Sequence, residues 1–337
     1  MESFRPSLTE LRSLVDEALT EFLQARSQAV PESEELMVEL QRLVAAGGKR
    51  LRPSFCYWGF RAGGGRHGVE AVRAAASLEL LHTFAIVHDD IMDDSDERRG
   101  ESTLHVRRGL GFAILAGDLA LVLADALFTS TGFPAEVAVD AFDTYSLMRQ
   151  EVIAGQYLDV AAGEQRTISE ERARRIAILK SGRYSIQKPL VIGARLSGAP
   201  HDLVSRLAAF GDPVGEAFQL RDDLLGTFGS REQIGKPVDS DIREGKRNVL
   251  FAKTLAALRG DERDFFVQRW GSRGDLTEDD VERLRALVVE SGARAQTEAL
   301  LAERAARAEA ELERLTIDEE SRAALAVLVR LAIDRTA

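Results

Sequence analysis

The sequence predicts an all-α fold, and three observations predict it. Hydrophobic residues make up 45% of 337 residues but aromatics only 6%, so the apolar content is mainly Ala, Leu and Val, which suits packed helices. Apolar residues recur at helical spacing along nearly the whole chain. No strand-like run, solenoid-length repeat or low-complexity linker interrupts it. Residues 1–337 are therefore expected to form a single helical domain.

Residues 8–29 place Leu11, Leu14, Val15, Ala18, Leu19 and Phe22 on one helix face. Pro31 ends that helix and residues 35–46 form the next. Gly47-Gly48-Lys49-Arg50-Leu51-Arg52-Pro53 follows: two glycines, three cations and a proline suited to opening a helix. Lys49 and Arg52 are three apart and can face one anion; the segment reads as either a basic surface turn or a phosphate site. A Gly-rich loop spans 62–68, and a long apolar helix runs over 69–93. His82 lies on that helix, more at home in a core than as a ligand when taken alone.

The helix ends in Val87-His88-Asp89-Asp90-Ile91-Met92-Asp93-Asp94, around which the chain is organised. Asp89 and Asp93 are four apart, on one face and about 6 Å along the axis. Like charges at this spacing repel. The run is either a solvated helix end or a site for a divalent cation, and oxygen ligands without His or Cys favour magnesium. A second acidic pair, Asp222-Asp223, also ends an apolar segment. Two such ends facing one cavity would form a metal-filled mouth over an apolar tunnel.

Asp96-Glu97-Arg98-Arg99-Gly100 reads as a turn, its arginines suited to surface carboxylates or to a diphosphate. Residues 110–131 form a strongly apolar helix. It is read as buried, without a membrane span, because Asp118 and Asp125 lie inside it. Another helix runs from Pro134 to about 161 and carries Gly155-Gln156-Tyr157-Leu158-Asp159. A helix from Ser169 runs to Lys180-Ser181-Gly182; further helices cover 185–198 and 201–228, separated by short Gly/Pro turns. Residues 232–246 read as a loop, a mobile flap with Lys236 and Lys246. From Val249 the pattern is helical, with turns near Gly260 and 271–275, and the tail over 277–336 is helical with a charged, solvated face.

Composition excludes several functions. With 44 Lys and Arg against 55 Asp and Glu, the net charge of −11 argues against nucleic acid and anionic membranes as partners. The single Cys56 gives no disulfide and fits a cytoplasmic location, and no signal peptide is visible. Walker, Cys-x-x-Cys, His-Glu-x-x-His and dinucleotide motifs are absent. Lysines are few (Lys49, Lys180, Lys188, Lys236, Lys246 and Lys253), so each is a candidate for a place needing a compact ammonium ion. Two acid clusters, scattered cations and apolar helices suit metal-assisted ionisation of a diphosphate ester, followed by alkylation of a second apolar substrate in a dry cavity.

The ordered series Gly47 to Pro53; Asp89-Asp90-Ile91-Met92-Asp93 with Arg98-Arg99-Gly100; Gly155-Gln156 with Asp159; Lys180-Ser181; Phe218-Gln219 with Asp222-Asp223; and Gly235-Lys236 with Asp241 and Lys246 resembles the trans-isoprenyl diphosphate synthases, or polyprenyl synthetases. The resemblance spans positions 47–250. It implies an isoprenoid-synthase-type helical bundle round a deep central cavity, commonly a homodimer, that condenses isopentenyl diphosphate with an allylic diphosphate. By the same resemblance, Asp89 and Asp93 with Asp222 hold several magnesium ions on the allylic diphosphate, with Asp90 and Asp223 beside them. Arg98, Lys180, Lys236 and Lys246 grip that diphosphate. Lys49, Arg52, His82 and Arg99 bind isopentenyl diphosphate, and Ser181 and Gln219 steady the allylic cation.

Two positions depart from the pattern: the second acidic motif ends in Gly226 rather than an acid, so that Asp223 or water must fill in, and Ser181 stands where Thr is common. Phe84, five residues before Asp89, and the small Ala85 resemble the geranylgeranyl (C20) pattern. A farnesyl (C15) synthase is the alternative. A class I terpene cyclase would leave Lys49, Arg52 and Arg99 idle, and a non-catalytic synthase subunit would often have lost the acids.

Overall fold

The computed structural model describes residues 6–229, 239–272 and 275–334. Helix α1 (Leu8–Ser27) opens on a capping box: the Glu10 amide donates to Ser7 Oγ at 3.2 Å, and the Ser7 amide donates to Glu10 Oε2 at 2.7 Å. A 3₁₀ turn at Pro31–Ser33 leads into α2 (Glu34–Ala45). Helix α3 (Leu51–Ala62) begins two residues before the proline expected to open it. Pro53 is tolerated because first-turn amides have no intrahelical acceptor.

Helix α4 (Val69–Met92) is buried over most of its circumference, which explains its near-continuous apolar sequence. Asp93 caps it, its amide donating to the Asp89 carbonyl at 2.8 Å. The turn expected after it is a two-stranded hairpin, Glu97–Arg98 paired with Glu101–Ser102. Helices α5 (Leu104–Arg108), α6 (Leu110–Thr129) and α7 (Ala135–Gly163) follow.

Helix α6 corrects one expectation. It packs on α4 through Ala113, Ala116, Gly117 and Ala120, but its other side leaves Leu115 58% and Val122 62% exposed. Within this chain α2, α4 and α5 pack against it, and among the described residues its other side is left open. It is long and apolar enough to cross a membrane.

From α8 (Glu170–Ala177) the chain continues through a π-helical segment, Ile178–Gln187, into α9 (Lys188–Leu196). The break expected between 182 and 185 does not occur; the turns widen instead. Helix α10 (His201–Phe228) packs against that segment. Part of the expected flap is helical, α11 (Ser240–Glu244), while Gly235 and Lys236 lie outside the described residues. The chain closes with α12 (Val249–Ala257), α13 (Gly260–Arg269), α14 (Glu278–Glu290), α15 (Ala293–Arg314) and α16 (Glu319–Ile333). One contiguous apolar core runs from Leu11 on α1 to Ile333 on α16.

Candidate active site

A cavity of about 560 Å³ lies between α4, α7, the π segment and α10. Asp89, Gln156, Asp159, Lys180, Ser181, Gln219, Asp223, Asp241 and Lys246 supply its polar wall, and Phe84, Ala85, Ile86, Val152 and Ile176 line its apolar part. The acidic ends of α4 and α10, more than a hundred residues apart in sequence, thus reach one space.

The π segment is what brings Lys180 to the acids. Gly155 lets α7 touch it: a Cβ at 155 would lie 2.4 Å from the Lys180 backbone nitrogen. Lys180 Nζ then donates to Asp89 Oδ1 at 2.9 Å and to Asp159 Oδ2 at 2.6 Å. Gln156 Nε2 donates to the same Asp89 oxygen at 3.0 Å. Lys246 donates to Asp93 and stands 3.8 Å from Asp159. Burial alone raises the Asp89 carboxyl, but the charges of Lys180, Lys246 and Arg98 outweigh it and hold that carboxyl well below the ordinary range. Burial pushes the Asp93 carboxyl up, against the pull of Lys246 and with the repulsion of Asp89. Burial lowers the Lys180 ammonium, but Asp89, Asp159 and Asp93 reverse the sign and keep it charged. The result is a buried cluster of three acids and two ammonium ions.

A second, basic region adjoins it. Arg52 stacks over the Tyr184 ring at 4.6 Å and donates to Ser185 Oγ at 2.8 Å. Arg99 donates to the Gly47 carbonyl, which ties the hairpin to the glycine loop. His82 sits among these groups, and burial followed by the charges of Arg52, Arg98, Arg99 and Arg50 drives its pKa well below 6.5. His82 is therefore neutral at neutral pH, able to donate one hydrogen bond while adding no charge. Lys49 is exposed and is not among the residues that line the cavity. Arg98 bridges the two regions: it holds Asp90 at 2.6–2.9 Å and stands 3.7 Å from Asp89.

The adjacent acids have different surroundings. Asp90 is 5% exposed and accepts its bonds from Arg98. Asp223 is 3% exposed and accepts from Gln219 Nε2 at 2.8 Å; burial and the charges of Asp241 and Asp222 push its carboxyl up to about 8. These two carboxylates, expected beside the magnesium ions, are held by these protein partners. Asp222 is half-buried on α10, and Lys236 lies outside the described residues.

Sequence reasoning passed over Arg50 and Glu79. Arg50 is 6% exposed and donates to Glu79 at 2.6 Å, Asp16 at 2.8 Å and the Val44 carbonyl at 2.7 Å. The available signal was Glu79 itself, a lone acid within an otherwise apolar helix stretch.

Among the described residues, no group of three His, Cys, Asp or Glu side chains is placed to hold a metal ion by itself. Hard carboxylate oxygens that already draw ammonium ions nonetheless fit magnesium, which commonly takes one or two carboxylates and completes its shell with water and phosphate oxygens. The profile described as polyprenyl synthetase matches residues 33–288, about three quarters of the chain. The chain belongs to the polyprenyl synthetase family.

Relatives of this polyprenyl synthetase agree. It is 38% identical over 244 residues to a geranylgeranyl diphosphate synthase of Sulfolobus acidocaldarius, covering 70% of this chain and 72% of that one. It is 33% identical over 334 residues to a short chain isoprenyl diphosphate synthase of Methanothermobacter thermautotrophicus, covering 97% of each. Its fold matches the geranylgeranyl pyrophosphate synthase of Corynebacterium glutamicum, a crystal structure complexed with isoprenyl diphosphate and magnesium, with a TM-score of 0.94 and 32% identity over 98% of this chain and 100% of that one.

Proposed function

We propose that this polyprenyl synthetase condenses isopentenyl diphosphate with an allylic diphosphate by magnesium-assisted ionisation, forming geranylgeranyl diphosphate (C20). One observation carries the reading: a lysine-and-acid cluster and an arginine pocket share one cavity with an apolar floor. Such a site serves two diphosphates, whereas a terpene cyclase needs a single one.

In this reading Asp89, Asp93 and Asp222 hold magnesium, which when bound neutralises charge on the leaving diphosphate. Lys180 and Lys246, already paired with Asp89 and Asp93, and Arg98, paired with Asp90, grip the diphosphate oxygens as point charges and a guanidinium fork. Lys236 joins them in the proposal. Lys49, Arg52, Arg99 and neutral His82 bind isopentenyl diphosphate. Ser181 and Gln219, both on the cavity wall, turn polar atoms toward the allylic carbon where positive charge develops. The apolar lining excludes water from that carbon. The departing diphosphate accepts the proton lost after condensation, so no side-chain base is required.

Phe84 closes the floor about 7.5 Å along α4 from Asp89, at about 1.5 Å per residue, and its ring is held edge-on to His88 at 4.8 Å. The open apolar face of α6 is where a second copy packs to give a homodimer. All of this is assigned to one domain working in the cytoplasm.

The test is product analysis with the purified chain. Labelled isopentenyl diphosphate with a short allylic primer should give a C20 diphosphate only when magnesium is present, and geranylgeranyl diphosphate alone should yield no hydrocarbon. Consumption of the allylic substrate without isopentenyl diphosphate would overturn the reading in favour of a cyclase.

A further inference from the structure

Lys246, which donates to Asp93, sits outside any helix, between α11 and α12. A lysine carries its charge on a flexible four-carbon stem, so where the ammonium falls depends on where the main chain is held. Here both polar groups of that main chain are taken. The Lys246 amide donates to the Asp241 carbonyl at 2.9 Å, and the Gly245 amide donates to the Ile242 carbonyl at 3.3 Å. With Gly245 left-handed at φ 74°, these are the paired bonds of a Schellman turn closing α11. On its other side, the Lys246 carbonyl accepts from Trp270 Nε1 at 3.0 Å.

Trp270 follows α13 and is buried, its rings 5.5 Å from Phe251 and 5.1 Å from Phe266. It does not line the cavity. Packing alone asks for a large ring; the indole adds one buried donor, and that donor is spent on the Lys246 carbonyl. The next residue tightens the seat. The Gly271 amide donates to the Ile242 carbonyl at 2.9 Å, and a Cβ at 271 would lie 2.6 Å from Gly245 Cα. Residues 270 and 271 therefore hold the turn that carries Lys246 at two points, one on each side of Gly245.

We propose that Trp270, seated by Gly271, is a positioning residue: it fixes the Lys246 main chain so that the ammonium meets Asp93, Asp159 and the diphosphate bound beside them. That the ligand is a diphosphate rests on the prenyl-transfer reading; the coupling of Trp270 to Lys246 rests on the geometry.

The experiment is a double-mutant cycle on the full chain, read as magnesium-dependent binding of inorganic diphosphate by calorimetry, which needs no turnover. Lys246→Ala removes the ammonium and should weaken binding. Trp270→Phe keeps a ring and removes the donor. It should weaken binding about 10-fold in the wild-type background and less than about 2-fold in Lys246→Ala. General loosening of the fold would cost the same in both. Gly271→Ala leaves the indole in place and presses on Gly245, so it should follow the same pattern, and it replaces Trp270→Phe in the cycle should that variant not fold. In turnover, Trp270→Phe should raise the KM for the allylic primer and leave that for isopentenyl diphosphate unchanged. Wild-type affinity in Lys246→Ala or in Trp270→Phe, an equal loss in both backgrounds, or a matching rise in both KM values overturns the proposal. Prenyl transfer by the wild type is assayed alongside. If transfer is absent while the cycle shows coupling, the prenyl-transfer reading falls and the positioning role stands. If transfer is present and the cycle shows no coupling, the positioning role falls alone.

Discussion

Replacing Arg50 by Met should be among the most damaging single changes outside the acid cluster. Arg50 and Glu79 side chains are 5% and 7% exposed, and their charged atoms are 2.6 Å apart. Burial works against the Arg50 charge, yet the attraction of Glu79 and Asp16 outweighs it and raises the guanidinium pKa. Removing one partner of such a pair leaves a buried charge uncompensated and costs about 3–5 kcal/mol. Asp16, 40% exposed, adds at most about 1 kcal/mol, because water already solvates it. Arg50→Met should therefore lose about 4 kcal/mol. Arg50→Met/Glu79→Met, which removes both charges and keeps apolar volume, should recover about half of that. The assay is urea unfolding at fixed protein concentration, read as the change in midpoint with the slope unchanged. Function should follow, because Arg50 holds an unfavourable left-handed backbone (φ 49°) between Lys49 and Arg52. The KM for isopentenyl diphosphate should rise more than that for the allylic primer. A loss below about 1 kcal/mol, or a double variant less stable than the single one, would refute the assignment of a desolvated pair.

Four further outcomes are expected. Asp89→Ala should abolish turnover and magnesium-dependent binding of the allylic substrate, beyond the roughly 10-fold to 100-fold loss typical of outer partners; full turnover contradicts its role. Phe84→Ser should lengthen the product on a sizing chromatogram, and an unchanged length rejects Phe84 as the floor. Leu115→Asp/Val122→Asp, on the open face of α6, should halve the mass measured by light scattering, and an unchanged mass moves the dimer surface elsewhere. Asp223 titrates near 8 when folded but near about 3.9 when unfolded, so between those values the folded state holds the extra proton. Its contribution to stability is therefore present below about pH 4 and lost as pH rises through about 8. In EDTA, Asp223→Asn should flatten that decline, and an unchanged pH profile argues against a buried protonated carboxyl.

Which parts of this site could be read from sequence follows from how far each depends on the rest of the chain. The helix end at Asp89 was legible because acid in an apolar helix is costly wherever the helix goes. The scarcity of lysine was a fair signal for Lys180 and Lys246, which sit among acids, but Lys188 and Lys253 answer equally to ion pairs with Glu151 and Glu170. Asp89 and Asp90 are the same letter in the sequence, and a rotation of about 100° per residue sends one to Lys180 and the other into the fork of Arg98. Nothing within 178–187 announces a π segment; the close approaches of Gly155 to Lys180 and of Gly182 to Gly215 are made with distant helices. Helix α6 is the converse case. Its composition says that both faces want cover, and no composition says whether the cover is the same chain or another. Gly226 joins both kinds: the sequence shows a glycine where an acid is common, and only the fold shows the Asp241 carboxylate packed against it. A departure from a family pattern is thus best read as a question about space, answered by asking which side chain fills it.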